Sequence, residues 1–262
     1  MARISPKAVV MNPDGLADSV SVGPFTYIGE EVIIEDGTII DGNVTITGKT
    51  RIGKSCRFLP GCIVGCSSAD NPDGKGKCII ADNNTIREHV IIEAGSDEAG
   101  TILGENNLLM VGCYVGHDAE LTGDGIFANF TRINHHARIE KFVRTSGFTT
   151  IDPYVTVGAY GFTTGYSRID HDTPPYAIVQ GSPFRIRGVN RENLKRCGFS
   201  HQTIDTLKKV FRIVFNDSAN LPDPNQLAEI EQTFNDEHVA RLLASLRKIA
   251  ASPDKRVLLS RQ

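Results

Sequence analysis

This chain of 262 residues predicts an all-β parallel β-helix followed by a smaller α-helical domain. Three observations carry the prediction. Large apolar residues recur at every sixth position over long runs, and glycine, asparagine or aspartate follows many of them. Beyond residue 190 that period is replaced by the 3.6-residue spacing of amphipathic helices.

The first run is Ile4, Val10, Leu16, Val22, Ile28, Ile34, Ile40, Ile46, Ile52, Phe58 and Val64, without a break. A short one follows in Ile80, Ile86 and Ile92. The last runs from Leu103 through Leu109, Val115, Leu121, Phe127, Ile133 and Ile139 to Thr145, Ile151 and Val157. Offsets near residues 65–79 and 93–102 mark two inserted loops. Neither a helix nor a long strand has a period of six, but a short strand plus a tight turn does. Three such units make an 18-residue triangular coil with its apolar residues inward. Gly23, Gly29, Asp41, Gly53, Gly104 and Gly116 suit the corners, and successive coils stack at about 4.8 Å.

The period is expected to stop after Val157, with "DTPPYAIVQGSPFRIRGVN" (172–190) leaving the coil as an extended, proline-punctuated segment. A helix is expected from the N-cap Ser200, with Ile204, Leu207, Phe211, Val214 and Phe215 on one face. Another is expected from Asp236, with Val239, Leu242, Leu243, Leu246 and Ile249; "LPDPNQ" (221–226) separates the two. The domains are therefore 1–185, the β-helix, and 186–262, the helical domain.

With 40% hydrophobic and 23% charged residues the chain is globular, and a formal charge of −3 gives no bulk attraction to nucleic acid or to an anionic membrane. No apolar leader follows Met1 and no window reaches the length of a spanning helix, so a cytoplasmic protein without integral membrane association is expected. Cys56, Cys62, Cys66, Cys78, Cys113 and Cys197 form no CxxC pair, which favours buried thiols over a disulfide framework or a cysteine-based metal site.

Chemistry in a solenoid is sought where polar residues cluster. One coil is 18 residues, so Asp118 falls in register with His136, and His117 with His135. One alternative is a solvated polar stripe. A second is a metal site, although the stacked pairs supply no obvious third ligand. The third is acid–base catalysis, in which a histidine oriented by a neighbouring carboxylate deprotonates an attacking hydroxyl.

"VGPFTYIG" (22–29), "NTIREHVII" (84–92), "NNLLMVGCYVGHD" (106–118), "PPYAIVQG" (174–181) and "GVNRENLKRCGF" (188–199) occur in this order. Together they resemble the UDP-N-acetylglucosamine 3-O-acyltransferases of lipid A biosynthesis over nearly the whole chain. The resemblance implies a left-handed coil, a homotrimer with clefts between subunits, and hydroxyacyl transfer from acyl carrier protein, as co-substrate, to UDP-N-acetylglucosamine. It implies no bound cofactor and no metal. His117 would be the general base and Asp118 its orienting neighbour; the backbone N–H of His135 would face the oxyanion. His136 and Asp70 would bind the acceptor, with Lys75 or Lys77 near Asp70 standing in for a basic residue of the family. Asn190, Glu192 and Arg196 would hold the uridine diphosphate, and basic residues of the helical tail would meet the acidic carrier protein.

The chain also departs from that pattern. Glu93, Tyr114 and Asp152 stand where the family usually has histidine, His135 where it has glycine, Pro153 where it has glutamine, and Cys197 where it has arginine. Three alternatives follow: another nucleotide sugar as acceptor with O- or N-acylation, an acyl-coenzyme A donor, or a non-catalytic scaffold that binds a nucleotide sugar.

Overall fold

The computed structural model describes residues 1–69, 71–73, 75–215 and 223–251. Short strands wind into a three-faced prism whose faces hold eleven, nine and seven strands among the described residues. The predicted period is its inward column. On the second face Val64, Ile92, Val115, Ile133 and Ile151 pair in sequence, each in parallel register with the next. All five are at most 1% exposed, and burying an aliphatic side chain of that size contributes about 1.5–3 kcal/mol. Only Ile4 and Val10, at the open end of the prism, are partly buried.

The coil does not stop at Val157. Thr163 and Ile169 add two further buried rungs, on the strands Phe162–Thr163 and Arg168–Ile169. Val157, Thr163 and Ile169 keep the spacing of six, and it is lost only beyond Ile169, where the following segment changes spacing. Ala177–Gln180 then pairs with Phe162–Thr163 in parallel and with Arg185–Val189 antiparallel. That last strand straddles the residue 185/186 boundary.

Corners turn through the left-handed backbone region. Asp118, His136 and Tyr154 have φ of 57°, 55° and 62° and occupy the same corner of three successive coils. Aspartate and histidine enter this region more readily than most side chains. Glycine is needed where coils approach most closely: a Cβ on Gly116 would lie 2.7 Å from the backbone nitrogen of His135.

The six cysteines are free. Burial pushes the Cys62 and Cys113 thiols up to about 11 and the Cys78 thiol to about 12, which keeps them protonated and inert near neutrality.

Among the described residues four α-helices follow: α1 (Arg191–Arg196), α2 (His201–Val214), α3 (Pro224–Phe234) and α4 (Glu237–Ala251). The Ser200 side chain caps α2 by accepting the Thr203 N–H, and every apolar residue predicted for α2 and α4 is buried. Helices α1 and α3 were not predicted. Leu221 and Pro222 of "LPDPNQ" lie outside the described residues; the rest caps and opens α3, with Pro224 at its first turn and a capping box between Asp223 and Gln226.

Candidate active site

Both inserted loops leave the prism at one corner. Residues 67–76 connect the strands Ile63–Cys66 and Lys77–Ile80, and residues 94–100 connect Ile91–Glu93 and Thr101–Leu103; in each case the chain passes from the second face to the third. The next two coils place His117 with Asp118, then His135 with His136, at this same corner.

The register predicted from the 18-residue coil is present. The His136 N–H donates to the His117 carbonyl at 3.1 Å, and the His117 and His135 rings stack at 5.0 Å and 5°. His136 lies edge-on to both and stacks on Tyr154 at 4.7 Å. His117 is 7% exposed, which does not fit a solvated stripe.

His117 Nδ1 lies 2.7 Å from Asp118 Oδ2. Its Nε2 is buried and has no hydrogen-bond partner among the described residues. An ionised carboxylate accepts only, so Nδ1 carries the proton and the basic lone pair sits on Nε2. Burial raises the Asp118 carboxyl, but hydrogen bonds from His117 and Ser96 outweigh it, and the net displacement is downward.

Two partners of this pair were not read as such from sequence: Ser96 was not named, and Glu93 entered only as a departure from the family pattern. Ser96 donates its N–H to Asp118 Oδ1 at 2.8 Å and its hydroxyl to Oδ2 at 2.7 Å. Glu93, 6% exposed, accepts the His117 N–H at 3.1 Å. Burial, then Glu93, pushes the Tyr114 phenol well above its ordinary value, and the Arg132 guanidinium covers its ring at 4.1 Å. The Asp152 carboxylate takes three hydrogen bonds from Arg168 at 2.8–3.1 Å.

Asp70 lies outside the described residues. The two lysines considered beside it are engaged, Lys75 with Asp73 and Lys77 with Glu98. Asn190 is buried and caps α1, and its Nδ2 donates to the Tyr160 carbonyl at 2.8 Å. Tyr160 turns the corner between the third and first faces. A single chain therefore places α1 on a different edge of the prism from His117. Glu192 is exposed and pairs with Lys195 at 3.5 Å; Arg196 is exposed and has no ion-pair partner among the described residues. In the tail, Lys208, Arg241 and Arg247 are paired with acids.

The third donor that register alone does not supply is present. Ligand atoms of His117, Asp118 and His136 lie within 4.8 Å of one another. No helix among the described residues is long and apolar enough to cross a membrane.

Residues 172–256 match the family model described as UDP-N-acetylglucosamine O-acyltransferase, domain 2. The chain is 33% identical to the acyl-[acyl-carrier-protein]–UDP-N-acetylglucosamine O-acyltransferase of Stutzerimonas stutzeri, over 95% of this chain and 99% of that one. It is 33% identical to the Synechocystis protein of the same name, over 81% and 78%. Among solved structures, UDP-N-acetylglucosamine acyltransferase from Bacteroides fragilis superposes with a TM-score of 0.87 at 30% identity, over 93% of this chain and 96% of that one. The Francisella novicida enzyme gives 0.86 at 26%, over 98% and 94%. The prism and the helical tail thus recur as one arrangement, a left-handed parallel β-helix with a C-terminal helical domain. The chain belongs to the acyl-[acyl-carrier-protein]–UDP-N-acetylglucosamine O-acyltransferase family.

Proposed function

We propose that the protein transfers a (hydroxy)acyl chain from acyl carrier protein to the 3-hydroxyl of UDP-N-acetylglucosamine, the first step of lipid A biosynthesis. The observation that carries this is the buried His117, held at Nδ1 by Asp118 with Nε2 left without a protein partner among the described residues. In this scheme Nε2 takes the proton of the 3-hydroxyl as its oxygen attacks the thioester carbonyl. The C–O bond forms, the oxyanion faces the backbone N–H of His135, and collapse breaks the C–S bond. The leaving thiolate then receives the proton from His117. His135 lies outside the positive-φ set that includes His136, so the backbone there accepts a side chain where glycine is usual.

His136 and Asp70 are assigned to the acceptor sugar, and Asn190, Glu192 and Arg196 to the uridine diphosphate. Because α1 and His117 lie on different edges, a site using both sets takes them from neighbouring copies. This supports a homotrimer, and the family's activity supports acyl carrier protein as partner. The scheme uses no bound metal or organic cofactor, and a cytoplasmic location is part of the same proposal.

The test is turnover of acyl carrier protein thioesters with UDP-N-acetylglucosamine, against acyl-coenzyme A donors and a panel of UDP-sugars. H117A is expected to lose at least ~100-fold in kcat while remaining folded, the scale of a general base; near-normal turnover would overturn the assignment. Binding of UDP-N-acetylglucosamine without turnover would favour a scaffold.

A metal reading has one observation behind it, the convergence of His117, Asp118 and His136. Against it, Nδ1 and Oδ2 face one another at hydrogen-bond distance instead of turning to a common ion. Elemental analysis of the purified protein with activity measured in chelator decides between them.

A further inference from the structure

We infer that Ser96 is a positioning residue for the base, acting through Asp118. This inference rests on the assignment of His117 as base. Asp118 Oδ2 receives both the Ser96 hydroxyl and His117 Nδ1 at 2.7 Å, and Oδ1 receives the Ser96 N–H at 2.8 Å. Two of these three donors belong to Ser96. Rotating the carboxylate away from His117 would break all three contacts together, so the serine fixes the plane in which Oδ2 meets the ring. The same two bonds favour the ionised carboxylate, the form that accepts the Nδ1 proton.

Ser96 itself is exposed, but it stands on a secured backbone. Asn71 of the other inserted loop, 8% exposed, donates to the carbonyls of Ala94 and Gly95 at 3.2 and 2.9 Å. Gly95 also exchanges backbone bonds with Gly76 and Lys77, each 3.0 Å. A Cβ on Gly95 would lie 2.8 Å from Asp118 Oδ1 and 2.4 Å from the Gly100 Cα. The loop can bring the Ser96 N–H onto the carboxylate only because residue 95 lacks a side chain. The two insertions, which interrupt the hexapeptide period, thus converge on the orientation of His117.

The test compares Ser96→Ala and Ser96→Thr in the wild-type and Asp118→Ala backgrounds, with H117A as control. S96A is expected to lower kcat about 10-fold, the scale of one hydrogen bond to a charged group, with KM for both substrates within about twofold. S96T, which keeps the hydroxyl, is expected to restore most of that loss. In the D118A background S96A is expected to cost less than about twofold, because the group it acts through is gone. If H117A is inactive and S96A turns over normally, the role of Ser96 is overturned while the base stands. Equal losses with and without Asp118 would also overturn it, showing a general effect on the loop. Normal turnover by H117A overturns both assignments.

Discussion

A histidine beside an aspartate is common on a protein surface, and this corner carries two such pairs. His171 Nδ1 lies 2.6 Å from Asp170 Oδ1, further along the column that holds His117. What separates the pairs is the surroundings of the carboxylate. The Asp170 side chain is 43% exposed, whereas that of Asp118 is 10% exposed and receives two bonds from Ser96. Asp118 therefore acts as a fixed anion, and this has a measurable consequence in pH. Its carboxyl is held below the ordinary value of 3.8. A lowered folded-state pKa adds stability that is fully present well above the unfolded value and is lost as pH falls through the folded one. Chemical denaturation of wild type and D118N from pH 7 to 3 should therefore show a constant stability gap above about pH 5 that narrows as pH falls past 3.8. A gap that stays constant or widens in acid would show that Asp118 is not stabilised as the anion.

The elements show why most of the fold could be read from sequence and part of the site could not. A rung is a periodic demand: each coil must offer a large apolar side chain at the same place, so Ile28, Phe58 or Ile133 reveals the prism wherever the spacing holds. His117 and His135 were legible for the same reason, since their stacking follows from an 18-residue coil. Glu93 and Ser96 border or belong to an insertion that breaks the period, and nothing in the spacing aims Ser96 at Asp118 or Glu93 at the His117 N–H. Helix α3 was hidden by prolines that look like breakers but sit before or at a helix start. The stacked design also predicts a local cost for a lost rung. Ile133 is 1% exposed and pairs with Val115 and Ile151 in adjacent coils. Ile133→Ala should destabilise the protein by about 2–5 kcal/mol in urea unfolding, through lost transfer energy and the cavity left between two coils. A loss under about 1 kcal/mol would mean that the neighbouring rungs collapse to fill it.

For the whole molecule the decisive relation is between edges of the prism. His117 stands at the corner joining the second face to the third, and α1 is tied to the corner joining the third to the first. If one acceptor must touch both, the site spans two copies of the chain, and the particle mass in light scattering should be three times 28.5 kDa. Sharing makes a stronger prediction than mass alone. On the proposed assignment, H117A removes the base from one side of the cleft, and R196A removes a phosphate contact from the other without disturbing the cap that Asn190 provides. Each homotrimer should be inactive, or nearly so, at low UDP-N-acetylglucosamine. In a mixed trimer one of the three clefts pairs an R196A chain's intact His117 with an H117A chain's intact Arg196. Co-expression of the two variants should therefore restore turnover to a fraction of the wild-type rate. A site contained within one chain would gain nothing from mixing, because every chain in the hybrid carries one of the two lesions.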